Sequence, residues 1–179
     1  MELKESYPEF QFLEDLPGKK ILLKGNHDYW WNTLTCMRRF LQEKELKTID
    51  FLYNNSYLVE DKIIVGTRGW TFNGEENSEK ILQRENQRLI LSLEDGIKRF
   101  GNEKEKIAFI HYPPIIRGNL EEVKDSIFLN TLKKYQVTRC YYGHLHGGAH
   151  KEAMEGNIQG INFQLISGDY VHFNLVKIS

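Results

Sequence analysis

The sequence predicts an α/β layered fold built as a single domain over residues 1–179. Three observations lead there. Short apolar runs closed by turn residues alternate with segments of helical periodicity, the pattern of a sheet covered by helices. At 179 residues the chain can bury a core of its own, and no repeat, low-complexity tract or linker divides it. Hydrophobic residues make up 40% and charged residues 27%, the balance of an ordinary globular domain.

Each element has a local reason. Lys20 to Leu23 reads as a short buried strand after the Pro17-Gly18 turn. Asn32 or Thr33 caps a helix that puts Leu34, Met37 and Leu41 on one face. Asn54-Asn55 is a turn, and Tyr57–Val59 with Lys62–Val65 forms a hairpin around Glu60-Asp61, although glycine is missing from that turn. Leu82, Leu89, Leu93, Ile97 and Phe100 mark a long helix stopped by Gly101. Lys106 to Ile110 is a buried strand. Asn119 with Glu122 resembles a capping box opening a helix with Val123, Ile127 and Leu132. Arg139 to Tyr142 is a further strand, and Asn162–Ile166 with Val171–Ile178 is expected as an antiparallel pair.

Bulk properties exclude several function classes. The formal charge is -1 with both signs intermixed, so no electrostatic footprint for nucleic acid or a membrane surface shows. No stretch is apolar enough to span a bilayer, and MELKESYPEF has no apolar leader segment. Cys36 and Cys140 are the two cysteines, neither within a Cys-x-x-Cys, which argues against a disulfide framework or a zinc knuckle. A cytoplasmic location is expected.

Three strands end in related chemistry. "KILLKG" runs into Asn26-His27-Asp28, "KIAFI" into His111, and "RCYYG" into His144-Leu145-His146. In α/β sheets the carboxyl ends of strands face the crevice where ligands bind, so four of the six histidines fall where they can converge. In extended backbone His144 and His146 point to one side. Singly, each piece has a plain structural reading. Asn and Asp stabilise turns, and His111 before Pro113-Pro114 reads equally as a satisfied core histidine. Gly-His-x-His is stronger, because paired imidazoles suit first-row transition metals. The ordered set outweighs its members.

Gly-Asn-His-Asp, a strand-end His and Gly-His-x-His, in that order, resemble the second half of the calcineurin-like metallophosphoesterase signature over about Leu16 to Ile178. The resemblance implies a layered α/β/β/α metallophosphoesterase-like sandwich that hydrolyses phosphate mono- or diesters at two divalent transition metal ions (Mn, Fe or Zn). By the same resemblance Asn26, His111 and His144 hold the second metal and His146 ligates the first. His27 faces a small phosphate-ester substrate and protonates the departing oxygen, and Asp28 orients His27. The physical logic is that two cations roughly 3.5–4 Å apart activate a nucleophile and clamp the phosphoryl group.

The signature's first half, Asp-x-His and Gly-Asp-x-x-Asp, is absent from the 25 residues before Asn26. Those motifs supply the remaining ligands of the first metal, so the expectation is a chain lacking an N-terminal strand unit of about fifty residues. Impaired activity and self-association through unpaired strand edges are then expected. A non-catalytic remnant, or a binding or regulatory module on the same scaffold, is the rival function.

Other residues receive plainer readings. Gly168-Asp169 reads as a strand-to-strand turn. Tyr29, Trp30 and Trp31 are core residues or walls of the crevice. Arg68 in "GTRGW" either contacts a phosphate oxygen or forms an exposed salt bridge, and Tyr112 is a further phosphate-contact candidate. His150 and His172 are expected at the surface or behind the site, and Arg38-Arg39 in solvent.

Overall fold

The computed structural model describes residues 3–28, 31, 33–70, 78–115 and 126–178. Pro8 in its first turn starts α1 (Tyr7–Asp15), whose Phe10 is buried. The Glu14 carboxylate near its end accepts hydrogen bonds from the backbone N–H groups of Lys47 and Thr48 and from the Thr48 hydroxyl, which fixes the helix to the start of β2. Strand β1 (Lys20–Leu22) pairs in parallel with β2 (Ile49–Phe51). Between them runs α2 (Leu34–Glu43), opened by Thr33, whose side chain accepts from the Cys36 N–H at 3.4 Å. Met37, Phe40 and Leu41 of α2 bury against Phe10, Trp31 and Phe51, so Trp31 is core.

The hairpin forms as expected, with β3 (Tyr57–Val59) antiparallel to β4 (Lys62–Thr67) and Val59 opposite Lys62. Glu60 takes the left-handed conformation at φ 55°, in place of the missing glycine. Helix α3 (Ser78–Phe100) covers β4 with fully buried Leu89 and Leu93, and Gly101 at φ 91° ends it. Strand β5 (Glu105–Ile110) leads to α4 (Ile127–Lys134), capped by Ser126, whose hydroxyl accepts from the Leu129 N–H. The expected cap at Asn119 and Glu122, and Val123 with it, lies outside the described residues. Strand β6 (Arg139–Tyr142) is followed by a short 3-10 helix (Gly147–Glu152), β7 (Gly156–Ile158) and β8 (Ile161–Leu165).

The large sheet has the order β3-β4-β5-β6-β8-β7, with β4, β5, β6 and β8 parallel and an antiparallel strand at each edge. One expectation is corrected here. The antiparallel partner of β8 is β7, not Val171–Ile178, which holds no strand. His172 and Phe173 sit at φ 52° and 56°, a left-handed pair that no extended strand accommodates.

Strand alternation sorts the core into layers. Ile63, Val65, Ala108, Ile110, Cys140, Tyr142 and Phe163 face α3 and α4. Ile64, Ile107 and Tyr141 face the opposite way, toward the β1–β2 sheet, where Leu52, Ile21 and Leu23 meet them. The order is therefore helices, small sheet, large sheet, helices, the α/β/β/α layering. A cavity of about 480 Å³ lies between the sheets, walled by Ile21, Leu23, Leu52, Ile64, Phe109 and Tyr141. Because β1 faces this space, its residues are half-buried, not the fully buried run expected. No helix among the described residues is long and apolar enough to cross a membrane.

Candidate metal centre

Parallel pairing brings the carboxyl ends of β4, β5 and β6 to one edge. Thr67 lies opposite Ile110, and Ile110 opposite Tyr142, so Arg68, His111 and Gly143 emerge side by side. The Gly143 N–H donates to the His111 carbonyl at 3.2 Å, and the Tyr112 N–H to that of Arg68 at 2.9 Å. His144 then takes φ 71°, a left-handed conformation that costs a residue with a Cβ on the order of 1–3 kcal/mol. The turn is closed by the Leu145 N–H on the Gly143 carbonyl at 2.9 Å. It sets the His144 ring 5.1 Å from the His111 ring and 4.1 Å from the Tyr112 ring.

Asn26 arrives from the other sheet, on the loop after β1. Its Oδ1 stands 2.7 Å from Nε2 of His111, a contact between residues 85 apart in sequence. Buried Gly25 permits the approach: a Cβ there would lie 3.0 Å from His111 Cε1 and 3.2 Å from Nδ1. Asp28 Oδ2 accepts from the Gly25 N–H at 2.8 Å, so this carboxylate braces the loop backbone that carries His27. His27 is exposed, and its charge reaches both His111 and His144.

His146 follows on the same segment as His144. Its Nδ1 lies 2.8 Å from Oδ1 of Asp169, whose Oδ2 accepts from the Gly147 N–H at 2.9 Å. A turn forms at Gly168-Asp169, although no strand follows it as expected, and it carries a carboxylate to His146. His150 Nε2 is 3.2 Å from Asp169 Oδ2 without the alignment of a hydrogen bond. The Gly147 N–H foremost, then His146 and His150, hold the Asp169 carboxyl well below the usual carboxylate range. An ionised Asp169 only accepts, so Nδ1 of His146 carries the hydrogen and the lone pair of the neutral ring lies on Nε2.

Burial foremost, then the charges of His144, Arg68, His146 and His27, push His111 down to about 4. Burial also lowers His144, with His146 and His27 adding to it. Both rings are thus favoured as neutral electron-pair donors. Arg68 is corrected from an exposed to a buried ion pair: it meets fully buried Glu85 of α3 at 3.2 Å. His172 is exposed, and Tyr29 and Trp30 lie outside the described residues.

A model of the family described as calcineurin-like phosphoesterase matches residues 4–148. The chain belongs to that family. No curated protein and no solved structure matches it. The matched span runs through Asn26, His27, Asp28, His111, His144 and His146 and stops short of Asp169. Calcineurin-like phosphoesterases act on phosphate esters and generally bind divalent metals.

Whether this chain fits such ions depends on its donors. Among the described residues no group of three or more His, Cys, Asp or Glu is placed to hold a metal. What converges is two imidazoles and one amide oxygen, a mixed N/O set suited to a transition ion. Asn26 Oδ1 and His111 Nε2 face one another at 2.7 Å, and in the tautomer with its hydrogen on Nδ1 the His111 ring offers the Nε2 lone pair beside that oxygen. These donors fit one ion. His146, two residues after His144, has its Nδ1 against Asp169.

Proposed function

We propose that this chain is a metal-dependent phosphoesterase acting on a small phosphate mono- or diester, with Asn26, His111 and His144 holding a divalent Mn, Fe or Zn ion and His146 as the donor toward another. The contact of Asn26 Oδ1 with His111 Nε2 carries this reading, because it joins two strand-end motifs from different sheets at one point. When bound, such a cation supplies Lewis acidity, offsetting phosphoryl charge and lowering the pKa of a water. The protein's own residues do the rest. His27, exposed at the loop tip, is placed to protonate the departing oxygen, and Asp28 fixes the loop through Gly25. Tyr112, against the His144 ring, limits that ring's rotation.

The test compares wild type with His27→Ala and His111→Ala on bis(p-nitrophenyl) phosphate with added manganese. Wild type should turn over, His27→Ala should lose about a hundredfold or more while keeping its metal, and His111→Ala should lose metal and activity together. Turnover insensitive to EDTA and to both substitutions would remove the proposal. A second reading is a non-catalytic binding module on the same scaffold. That no group of three or more His, Cys, Asp or Glu is placed to hold a metal among the described residues favours it, and its signature is metal binding by wild type with no hydrolysis.

A further inference from the structure

Beside the Asn26–His111 contact lies a group of cations that the reaction above does not use. Lys24 stands two residues before Asn26 on the same loop. Arg68 follows β4 and is the direct neighbour of Tyr112 across the sheet edge. Arg88 comes up from α3. These three side chains line one cleft together with Tyr53 and Glu85. The Tyr53 ring has Lys24 Nζ 5.7 Å and the Arg88 guanidinium 5.0 Å from its centroid.

Charge in this cleft does not balance. Glu85 Oε1 accepts from Arg68 at 3.2 Å and from Arg88 at 2.9 Å, and its Oε2 accepts from the Thr67 hydroxyl at 2.9 Å. Glu85 is the one carboxylate that lines the cleft, and Asp28, whose charge reaches Lys24, is a second, so two carboxylates face three cations. The arginines are held rigidly: the Arg68 side chain is only 11% exposed and Arg88 28%. Arg68 Nε is buried and finds no hydrogen-bond partner among the described residues. A buried guanidinium N–H without an acceptor is a cost that an anionic oxygen would relieve.

We propose that Lys24, Arg68 and Arg88 form an anion-binding subsite next to Asn26 and His111 that takes a second phosphate group of the substrate. The substrate is then an ester bearing two phosphates, one at the His111–His144 locus and one at the cationic cleft. The cleft is shallow, about 30 Å³, room for about one or two waters. A tetrahedral anion rests at its mouth with an oxygen directed inward. Glu85 is the positioning residue, since it fixes both guanidinium planes from below. The identity of the substrate class rests on the phosphoesterase reading; the existence of the subsite does not.

The test separates the two. Inorganic phosphate is titrated calorimetrically into the whole chain in EDTA and low salt, so that no metal takes part. Wild type should bind, and Lys24→Gln and Arg88→Gln should each weaken binding about tenfold, the size of one charge-assisted hydrogen bond. Lys98→Gln, an exposed lysine elsewhere on α3, should not change it. Circular dichroism and thermal melts check that the variants fold, Arg88→Gln above all, since Arg88 is one of the two guanidinium partners of buried Glu85. With manganese, glucose 1,6-bisphosphate should be preferred over glucose 1-phosphate in kcat/KM by at least tenfold, and Arg88→Gln should erase that preference. No phosphate binding, or equal binding by all four proteins, overturns the subsite. Binding without any hydrolysis keeps the subsite and overturns the substrate assignment with the phosphoesterase reading. Hydrolysis with no preference overturns the substrate assignment alone.

Discussion

Oδ1 of Asp169 stands 2.8 Å from Nδ1 of His146, across 23 residues of sequence. A carboxylate behind an imidazole fixes the ring's tautomer and raises its basicity, and losing such a partner typically costs ten- to a hundredfold in metal affinity or activity. Asp169→Ala is therefore expected to raise the manganese concentration for half-maximal hydrolysis by about tenfold or more. Its melting temperature should fall by a few degrees with the fold kept, because the side chain also accepts from the Gly147 and Tyr170 N–H groups. An unchanged manganese dependence would show that Asp169 does nothing for His146.

Gly25→Ala probes the Asn26–His111 contact without touching either residue. The backbone there accepts alanine, since Gly25 is not in the left-handed region, and the clash is with the His111 ring at 3.0 Å. The ring must give by a few tenths of an ångström, less than the ~1 Å displacement that costs about a hundredfold, so the loss is on the order of tenfold. Hydrolysis should fall by that order while circular dichroism is preserved. Full activity in Gly25→Ala would mean that the His111 ring position is not critical.

The two faces of the large sheet should respond differently to truncation. Leu93 is fully buried between α3 and the sheet, so Leu93→Ala should cost about 2–5 kcal/mol. Ile21 is half-buried against the cavity and has fewer neighbours to lose, so Ile21→Ala should cost about 1 kcal/mol. Urea unfolding of both variants checks the order; equal losses would mean that the space between the sheets is closed in solution.

Acid stability should carry the mark of Glu105. Burial alone would raise its carboxyl, but hydrogen bonds from Arg139 and Thr138 and the Arg139 charge hold it below the ordinary 4.5. A depressed carboxyl stabilises the fold above its unfolded value, and the contribution disappears as pH falls through the folded one. The gap in melting temperature between wild type and Glu105→Gln should be full at neutral pH and narrow below about pH 4.5. It should correspond to less than about 1 kcal/mol, since this ion pair is partly solvated. A gap that widens in acid would reverse the assignment.

The convergence of His111 and His144 was legible because each follows an apolar run that becomes a parallel strand, and parallel neighbours end at one edge. The α/β/β/α layering and the hairpin at Glu60 were legible for similar reasons of period and turn. Strands β2 and β7 were not, since three residues show no period. Helix α1 escaped because its apolar residues do not share a face: Phe10 is buried while Phe12 is 66% exposed. Val171–Ile178 alternates like a strand, yet Phe173 and Leu175 face solvent, and two left-handed residues break the chain there. Asp169 and the Arg68–Glu85 pair are tertiary contacts, invisible to any local pattern.

The halves of the candidate centre ride on different sheets. Asn26 follows β1, His111 and His144 follow β5 and β6, and no ladder hydrogen bond joins the two sheets among the described residues. Their alignment rests on side chains packed around a cavity, on the Asn26–His111 link and on the Tyr57 hydroxyl of β3, which donates to the Phe51 carbonyl of β2 at 3.0 Å. The small sheet is thus free to open as a cooperative unit of its own, ahead of global unfolding. Any ligand bridging Asn26 and His111 acts as a clasp between the units, and its arrival should be read as slowed deuterium uptake at Lys20–Leu22 and Ile49–Phe51, far from the bound atoms.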